Sequence, residues 1–145
     1  MVEIKRILVP VDGSESSEKA VAKAIELANL CSAQIDFIYV SHLPDETDSK
    51  VAAILWLPES VVGSVKKMSK AILDHAIRNM PTHIRYQTYT QCGIPAEVIA
   101  KFAEENHSDL IVMAARGLGR IEGYLLGSVS QYLLENVKCP VLLLK

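Results

Sequence analysis

Four glycines, two arginines and two serines are concentrated in one stretch near the end of the chain, from Ala114 to Ser130. Glycine lets a backbone turn sharply and lets a ligand approach main-chain N–H groups closely. A helical pattern begins at Val129, and the N-terminus of a helix offers unpaired N–H groups and a positive dipole end. Such ends bind anions, and phosphates in particular. The stretch therefore predicts a phosphate site, although spacing alone leaves an ordinary glycine-rich connection open.

The glycine spacing excludes two common nucleotide motifs. A P-loop requires Lys-Ser or Lys-Thr after its last glycine, and neither follows here. Gly117, Gly119 and Gly123 have the spacing G-x-G-x-x-x-G and come late in the chain, unlike a dinucleotide fingerprint. The more specific arrangement is Gly117, nine intervening residues, and then Gly127-Ser128.

Length and composition indicate one globular domain spanning residues 1–145. Charged residues make up 22% of the chain and the net charge is −2, which does not indicate a nucleic-acid or membrane partner. No segment approaches the roughly 18 apolar residues of a membrane helix, and no signal-peptide pattern is present. Three cysteines without C-x-x-C spacing predict reduced thiols, so we expect a cytoplasmic protein.

Strand-like and helix-like segments alternate along the chain. The predicted strands are residues 4–11, 34–40, 84–91, 109–113 and 140–144. This alternation predicts an α/β fold with a doubly wound, flavodoxin-like or Rossmann-like parallel sheet and helices on both faces. Five strands favour the order 3-2-1-4-5, which places the topological switch point between the first and fourth strands.

The helix after the second strand has a predicted buried stripe, and Pro58 suits its first position. The stripe consists of Val61, Val65, Met68, Ile72 and Ala76, with Met68 as a core filler. The segment 41–58 lacks periodicity, which indicates a flap or an interaction surface.

Ligands of doubly wound sheets bind at the carboxyl ends of the strands beside the switch point. Pro10-Val11-Asp12 ends the first predicted strand, and Ala114-Ala115-Arg116-Gly117 follows the fourth. Two stretches about a hundred residues apart therefore meet at one crevice, and one of them begins the glycine-rich stretch. This convergence favours nucleotide binding.

Several segments resemble the universal stress protein family. They are Ile7–Ser14, Gly93–Ala96, Ser108–Met113, the pair Gly117 and Gly127-Ser128, and Cys139–Leu144. The pair matches the last two-thirds of the family's nucleotide signature, G-x-x-G-x9-G-[S/T]. The resemblance covers nearly the whole chain, apart from the 41–58 segment.

The resemblance implies binding of ATP or another adenine nucleotide. It assigns the adenosine side to Pro10, Val11 and Asp12, with Val40 against the base. It assigns the ribose and phosphates to Arg116, Gly117, Leu118, Gly119 and Arg120. Phosphates would also be held by main-chain N–H groups and hydroxyls of Gly127, Ser128, Val129 and Ser130. Asp12 would support a bound magnesium ion, or alternatively cap the first helix, a role that Ser14 could also fill.

The chain departs from the family signature at its first glycine, which is replaced by Ala114. A methyl group in a tight site costs about 1–3 kcal/mol. Alanine is also poorly suited to a position with positive φ. We therefore expect weakened nucleotide binding, although the Gly127–Ser130 end of the signature is intact.

The resemblance implies a regulatory or stress-response protein that is usually homodimeric and is not a turnover enzyme. The apolar last strand, Val141–Leu144, predicts pairing with a second copy, because an open apolar edge promotes aggregation. Two alternatives remain: a nucleotide-free dimeric interaction module and a slow ATPase. Asp12 is the one candidate carboxylate for phosphoryl transfer, which also needs a metal clamp and a positioned nucleophile.

Overall fold

The computed structural model describes residues 3–42, 58–116 and 126–145. The predictions for Gly117, Leu118, Gly119, Arg120 and nearly all of the 41–58 segment lie outside these residues. The strands are β1 (Arg6–Pro10), β2 (Gln34–Ser41), β3 (Tyr86–Cys92), β4 (Leu110–Ala114) and β5 (Val141–Leu144). The helices are α1 (Glu15–Cys31), α2 (Glu59–Ile77), α3 (Pro95–Glu105) and α4 (Ser128–Asn136).

The strands form one parallel sheet in the order β3-β2-β1-β4-β5, so the predicted fold class and strand order are confirmed. Each crossover contains a helix, as a parallel connection requires. The carboxyl ends of all five strands consequently lie at one edge of the sheet. The direction in which successive strands are added to the sheet changes between β1 and β4, which is the topological switch point.

The central strands β1, β2 and β4 are buried on both faces of the sheet, and their successive residues alternate between the two cores. Ile7 and Val9 of β1 face the core beneath α1 and α2, which also holds Phe37 and Val112. Leu8 faces the opposite core, beneath α3 and α4. That second core holds Ile38, Ile111, Met113, Ile99, Phe102 and Leu133.

The buried stripe of α2 was predicted in part, since Val65 is buried and Ile72 and Ala76 pack partly buried against the core beneath α1 and α2. The buried residues are Val62, Val65, Ser69 and Leu73, whereas Met68 is 53% exposed and is not a core filler. The prediction missed Ser69 because serine is polar, but its hydroxyl donates to the carbonyl of Val65, 2.8 Å away, and is thereby satisfied. Pro58 precedes the helix as its N-cap and does not occupy the first helical position.

A buried carboxylate lies at the amino end of β2. Asp36 is fully buried and accepts two hydrogen bonds at Oδ2 from the guanidinium of Arg6, at 2.8 and 3.1 Å. Gln34 donates to the other carboxylate oxygen at 2.8 Å. The hydrogen bond that Arg6 donates to Asp36 raises the pKa of Arg6. This network lies at the amino ends of the strands, away from the carboxyl ends where ligands of such sheets bind, so we assign it a structural role.

Candidate functional site

The crevice of this site lies between the carboxyl ends of β1 and β4. These two strands are paired at Ile7↔Leu110 and Leu8↔Ile111, near their amino ends. On its other side β1 pairs with β2 as far as Pro10↔Ile38, and the N–H of Val11 donates to Ile38 at 2.9 Å. The carboxyl end of β1 is therefore held by β2, which leaves a gap toward β4.

The carboxyl end of β4 is held on its far side. The N–H of Ala115 donates to the carbonyl of Leu144 in β5, at 2.8 Å, and Ala114 pairs with the same residue. The carbonyl of Ala115 accepts the N–H of Gly127 at 2.7 Å, just before α4 begins. The N-terminus of α4 is thereby fixed beside the end of β4.

Ser130 reinforces this junction from inside the protein. Its side chain is 2% exposed, and its hydroxyl donates to the carbonyls of Ala115 and Ala114 at 2.8 and 3.2 Å. The Ser130 hydroxyl was predicted to hold a phosphate, but it is bonded to the protein's own backbone. The N–H of Gly127, predicted to hold a phosphate as well, is also bonded to the backbone.

Among the described residues, the first amides of α4 remain as anion donors at this end. Ser128, Val129 and Ser130 occupy the first turn, where N–H groups have no intrahelical acceptor. Among the described residues, no side chain caps this turn. Ser128 is exposed, so its hydroxyl is also accessible. These amides and this hydroxyl, with the positive end of the helix dipole, form a site suited to a phosphate.

Asp12 lies at the end of β1, where the chain turns into α1. Its Oδ1 accepts the N–H of Ser14 at 2.9 Å, and Ser14 is the residue that caps α1 through its own hydroxyl. Ser14 therefore fills the capping role. Burial raises the pKa of Tyr39, and the negative charge of Asp12 raises it further, so this carboxylate lies close to the end of β2.

The predicted adenosine residues are grouped at this edge of the sheet. In the β1–β2 register Pro10 is opposite Ile38, which brings Val40 level with the start of the β1–α1 turn. Val40 packs against the core beneath α3 and α4, and Val129 of α4 packs against the same core. Val11 is buried in the other core. The face that carries Val40 is therefore the face on which α4 begins.

Ala114 is accommodated without backbone strain. It is the last residue of β4 and is 8% exposed, and its φ is not positive. Strand alternation places its methyl group on the face shared by Leu110 and Val112, beneath α1. That face is opposite the one on which α4 begins. The methyl group therefore points away from the α4 amides, although the sequence suggested a conflict there.

The prediction placed Ala115 at the crevice but gave it no role, whereas its backbone joins β5, Gly127 and Ser130. Its side chain carries no chemistry, so the sequence motif did not indicate this role. The available signal was its position, as the second of two small residues between a buried strand and the glycine-rich stretch. Arg116, the next residue, is half-buried, and the remaining predicted phosphate residues, 117–120, lie outside the described part of the chain.

Among the described residues, no group of three or more His, Cys, Asp or Glu side chains has the arrangement of a metal site. Within the same ranges, no helix combines the length and apolar character needed to cross a membrane. Asp12 offers carboxylate oxygens, which are ligands that Mg²⁺ accepts together with nucleotide phosphates.

Comparison with known proteins identifies the family. The model of the universal stress protein family matches residues 3–145. The chain belongs to the universal stress protein family. Universal stress protein MJ0531 of Methanocaldococcus jannaschii is 34% identical over 147 residues, which cover 97% of this chain and 82% of that relative.

Solved structures of similar proteins share the fold. The hypothetical protein MJ0577 superposes with a TM-score of 0.82 at 26% identity, covering 99% of this chain and 97% of its own. A universal stress protein solved in complex with cAMP superposes with a TM-score of 0.65 at 25% identity, covering 98% and 97% of the two chains. The family predicted from the sequence is thus confirmed.

Proposed function

We propose that this universal stress protein is a regulatory module that binds ATP or another adenine nucleotide at the carboxyl edge of its sheet. The observation that carries the proposal is the crevice between β1 and β4 with the uncapped first turn of α4 beside it. Amides at such a position suit phosphate oxygens. The relative solved with cAMP supports an adenine nucleotide as the ligand class.

In this arrangement the adenosine lies over Pro10, Val11, Asp12 and Val40, and the phosphates extend toward Ser128 and Val129. The Ser130 amide belongs to the same turn, although its hydroxyl is engaged by the backbone. Magnesium, when it accompanies the nucleotide, would be held by the phosphates and Asp12. The Asp12 carboxylate would then be shared with the N–H of Ser14.

The test begins with the nucleotide that copurifies with the full chain, released by acid and identified by chromatography. ATP, AMP and cAMP are then titrated with and without Mg²⁺. At about one hundred times the Kd, a ligand adds about 2.7 kcal/mol to the unfolding free energy, or roughly 5–10 °C in Tm. Absence of a copurified adenine nucleotide, together with no shift at millimolar Mg-ATP, would overturn the proposal.

Two substitutions at one residue separate the amide from the hydroxyl. Ser128→Pro removes the N–H from the first position of α4, where proline is well tolerated, and Gly127 already has the extended backbone that precedes a proline. We expect Ser128→Pro to weaken nucleotide binding by about tenfold or more while the fold remains intact. Ser128→Ala keeps the amide and should weaken binding less. Equal affinities in all three proteins would contradict the role of the amide.

We further propose that the protein is not a turnover enzyme. Phosphoryl transfer needs a metal clamp and a positioned nucleophile or water, and Asp12 is the single carboxylate assigned to the crevice. Multiple-turnover phosphate release should therefore stay at the level of a mock purification. Release that exceeds this level and is lost in Asp12→Ala would establish the slow ATPase instead.

The same proposal includes a homodimer formed through β5 and a cytoplasmic location. β5 is an edge strand with the sequence Val-Leu-Leu-Leu, and Leu142 is 36% exposed. A twofold mate would cover this edge.

The cytoplasmic location is supported by three cysteines that remain thiols, as is usual in a reducing compartment. A dimer without nucleotide would correspond to the second candidate function, an interaction module.

A further inference from the structure

A second cavity lies between α1 and α2, on the face of the sheet opposite Val40 and α4. Its volume is about 250 Å³. Its apolar wall is formed by Val11, Val21, Ile25, Ile72 and Ala76. Protein interiors are close-packed and contain few voids larger than a water molecule. A cavity of about 150 Å³ is enough to bind benzene, so this one has room for a ring with a short side chain.

The mouth of the cavity carries a polar rim formed by Glu18, His75 and Arg78. His75 Nε2 is hydrogen-bonded to Glu18 Oε1, and Arg78 lies 3.4 Å from the same oxygen. Arg78 also donates to the carbonyl of His75 at 2.7 Å. All three side chains are about half exposed, which leaves the rim accessible to solvent.

Arg78 brings the largest group of hydrogen-bond donors to this rim. A guanidinium has five N–H donors and no acceptor, whereas the side-chain amide of Asn79, which also lines the cavity, has two N–H donors and one carbonyl acceptor. Glu18 is the one carboxylate among the lining residues, and its Oε1 already serves both His75 and Arg78. A ligand group that only accepts hydrogen bonds therefore suits the rim better than an ammonium group.

We propose that this cavity binds a small carboxylic acid, with a ring or branched apolar body between α1 and α2 and its carboxylate at Arg78 and Asn79. The site shares Val11 with the proposed nucleotide site, but its other lining residues lie on α1, α2 and the turn before α1, on the face of the sheet opposite α4. Arg78 can engage a carboxylate through two N–H groups. Glu18 competes with the ligand for Arg78, so the affinity is set by the balance between the two carboxylates.

The test is an NMR titration of the full-length, ¹⁵N-labelled protein with three probes of one shape. Phenylacetate carries a carboxylate, phenylacetamide a neutral amide and 2-phenylethylamine an ammonium group. We expect phenylacetate to produce saturable shifts of the amides of residues 17–25 and 72–79, at a Kd of roughly millimolar or below. We expect the other two probes to bind at least about fivefold more weakly, which is the loss of a charge-assisted hydrogen bond.

Three variants assign the contacts. Ala76→Leu fills the cavity and should abolish the shifts, and the dispersion of its spectrum reports whether it is folded. Arg78→Met, at the exposed rim, should remove the preference for phenylacetate over phenylacetamide. Glu18→Gln should strengthen phenylacetate binding, because the competing charge is gone.

Four results would overturn the proposal. They are no saturable shift with any probe, shifts centred on residues 127–131, equal affinity for the three head groups, and an unchanged preference in Arg78→Met. The amide map distinguishes this site from the nucleotide site, so each proposal can fail alone.

Discussion

The hydroxyl of Ser130 is a structural group, because it donates to the two carbonyls at the end of β4. Ser130→Ala leaves these buried acceptors without their donor, and we expect a loss of about 1–3 kcal/mol in unfolding free energy. Urea unfolding monitored by circular dichroism measures it. The exposed Ser128 is the matched control, and Ser128→Ala should change stability by less than about 0.5 kcal/mol. An unchanged midpoint for Ser130→Ala would contradict the structural role.

Ala114 gives a second prediction at the residue scale. Glycine at this position would restore the family signature, but the methyl group points away from the α4 amides. We therefore expect Ala114→Gly to change nucleotide affinity by less than about threefold, which corresponds to under 1 kcal/mol. We expect it to lower the unfolding free energy by about 0.5–1 kcal/mol, because glycine weakens a strand. A tenfold gain in affinity would show that the methyl group does obstruct the ligand.

Residue roles at this site were only partly predictable from the sequence. The motif located Gly127, Ser128, Val129 and Ser130, because the spacing of residues can be read directly from the sequence. The direction of each polar group depends on packing. Ser128 and Ser130 are both serines in one turn, yet one is exposed and the other is in the core.

At the scale of elements, α1 and α2 are joined by the hydrogen bond between Glu18 and His75. This bond, followed by the charge of Arg78, lowers the pKa of Glu18 below its ordinary value of 4.5. A carboxylate with a lowered pKa stabilises the folded state above its unfolded pKa and loses that contribution as the pH falls through the folded pKa. The stability advantage over Glu18→Gln should therefore be fully present above the ordinary pKa of 4.5 and should be lost as the pH falls through the lower pKa of the folded state.

Denaturation of both proteins across this range, at constant ionic strength, measures the effect. In a His75→Ala background the advantage of Glu18 should shrink, because the principal partner is gone. A difference between wild type and Glu18→Gln that is independent of pH would contradict the assigned contact.

Elements as such were well predicted, and their boundaries and faces less so. The alternation of apolar strands and periodic helices was sufficient for element type. On α2 the prediction chose Met68 as a core residue, whereas the neighbouring Ser69 is buried and satisfies its hydroxyl within the helix. Hydrophobic periodicity cannot detect a buried polar group that bonds to its own helix.

At the scale of the whole molecule, topology was the most predictable feature. Once the connections are taken as right-handed crossovers, few strand orders remain, and the order found is the expected one. The position of the crevice followed from the switch point. The cavity between α1 and α2 could not be predicted, because its wall comes from three separate segments, at residues 11–14, 17–25 and 72–79.

The two edge strands, β3 and β5, differ in polarity, and this difference predicts which of them forms the dimer. β3 has the polar sequence Tyr-Gln-Thr-Tyr-Thr-Gln-Cys, whereas β5 is entirely apolar. We expect the protein to sediment as a dimer at micromolar concentration and Leu142→Asp to sediment as a monomer. Leu30→Asp is the matched control, since Leu30 is 80% exposed but lies on α1. A wild-type monomer, or a dimer that tolerates Leu142→Asp, would contradict the assignment.

Ala115 links this outer edge to the crevice through a single residue. Its N–H bonds to Leu144 in β5, and its carbonyl holds Gly127 at the entrance to α4. A shift of the last strand when it acquires a neighbour would be passed through this residue to Gly127 and the phosphate end of the crevice. Occupancy by nucleotide and self-association are then thermodynamically coupled, so the apparent dissociation constant should depend on how concentrated the protein is.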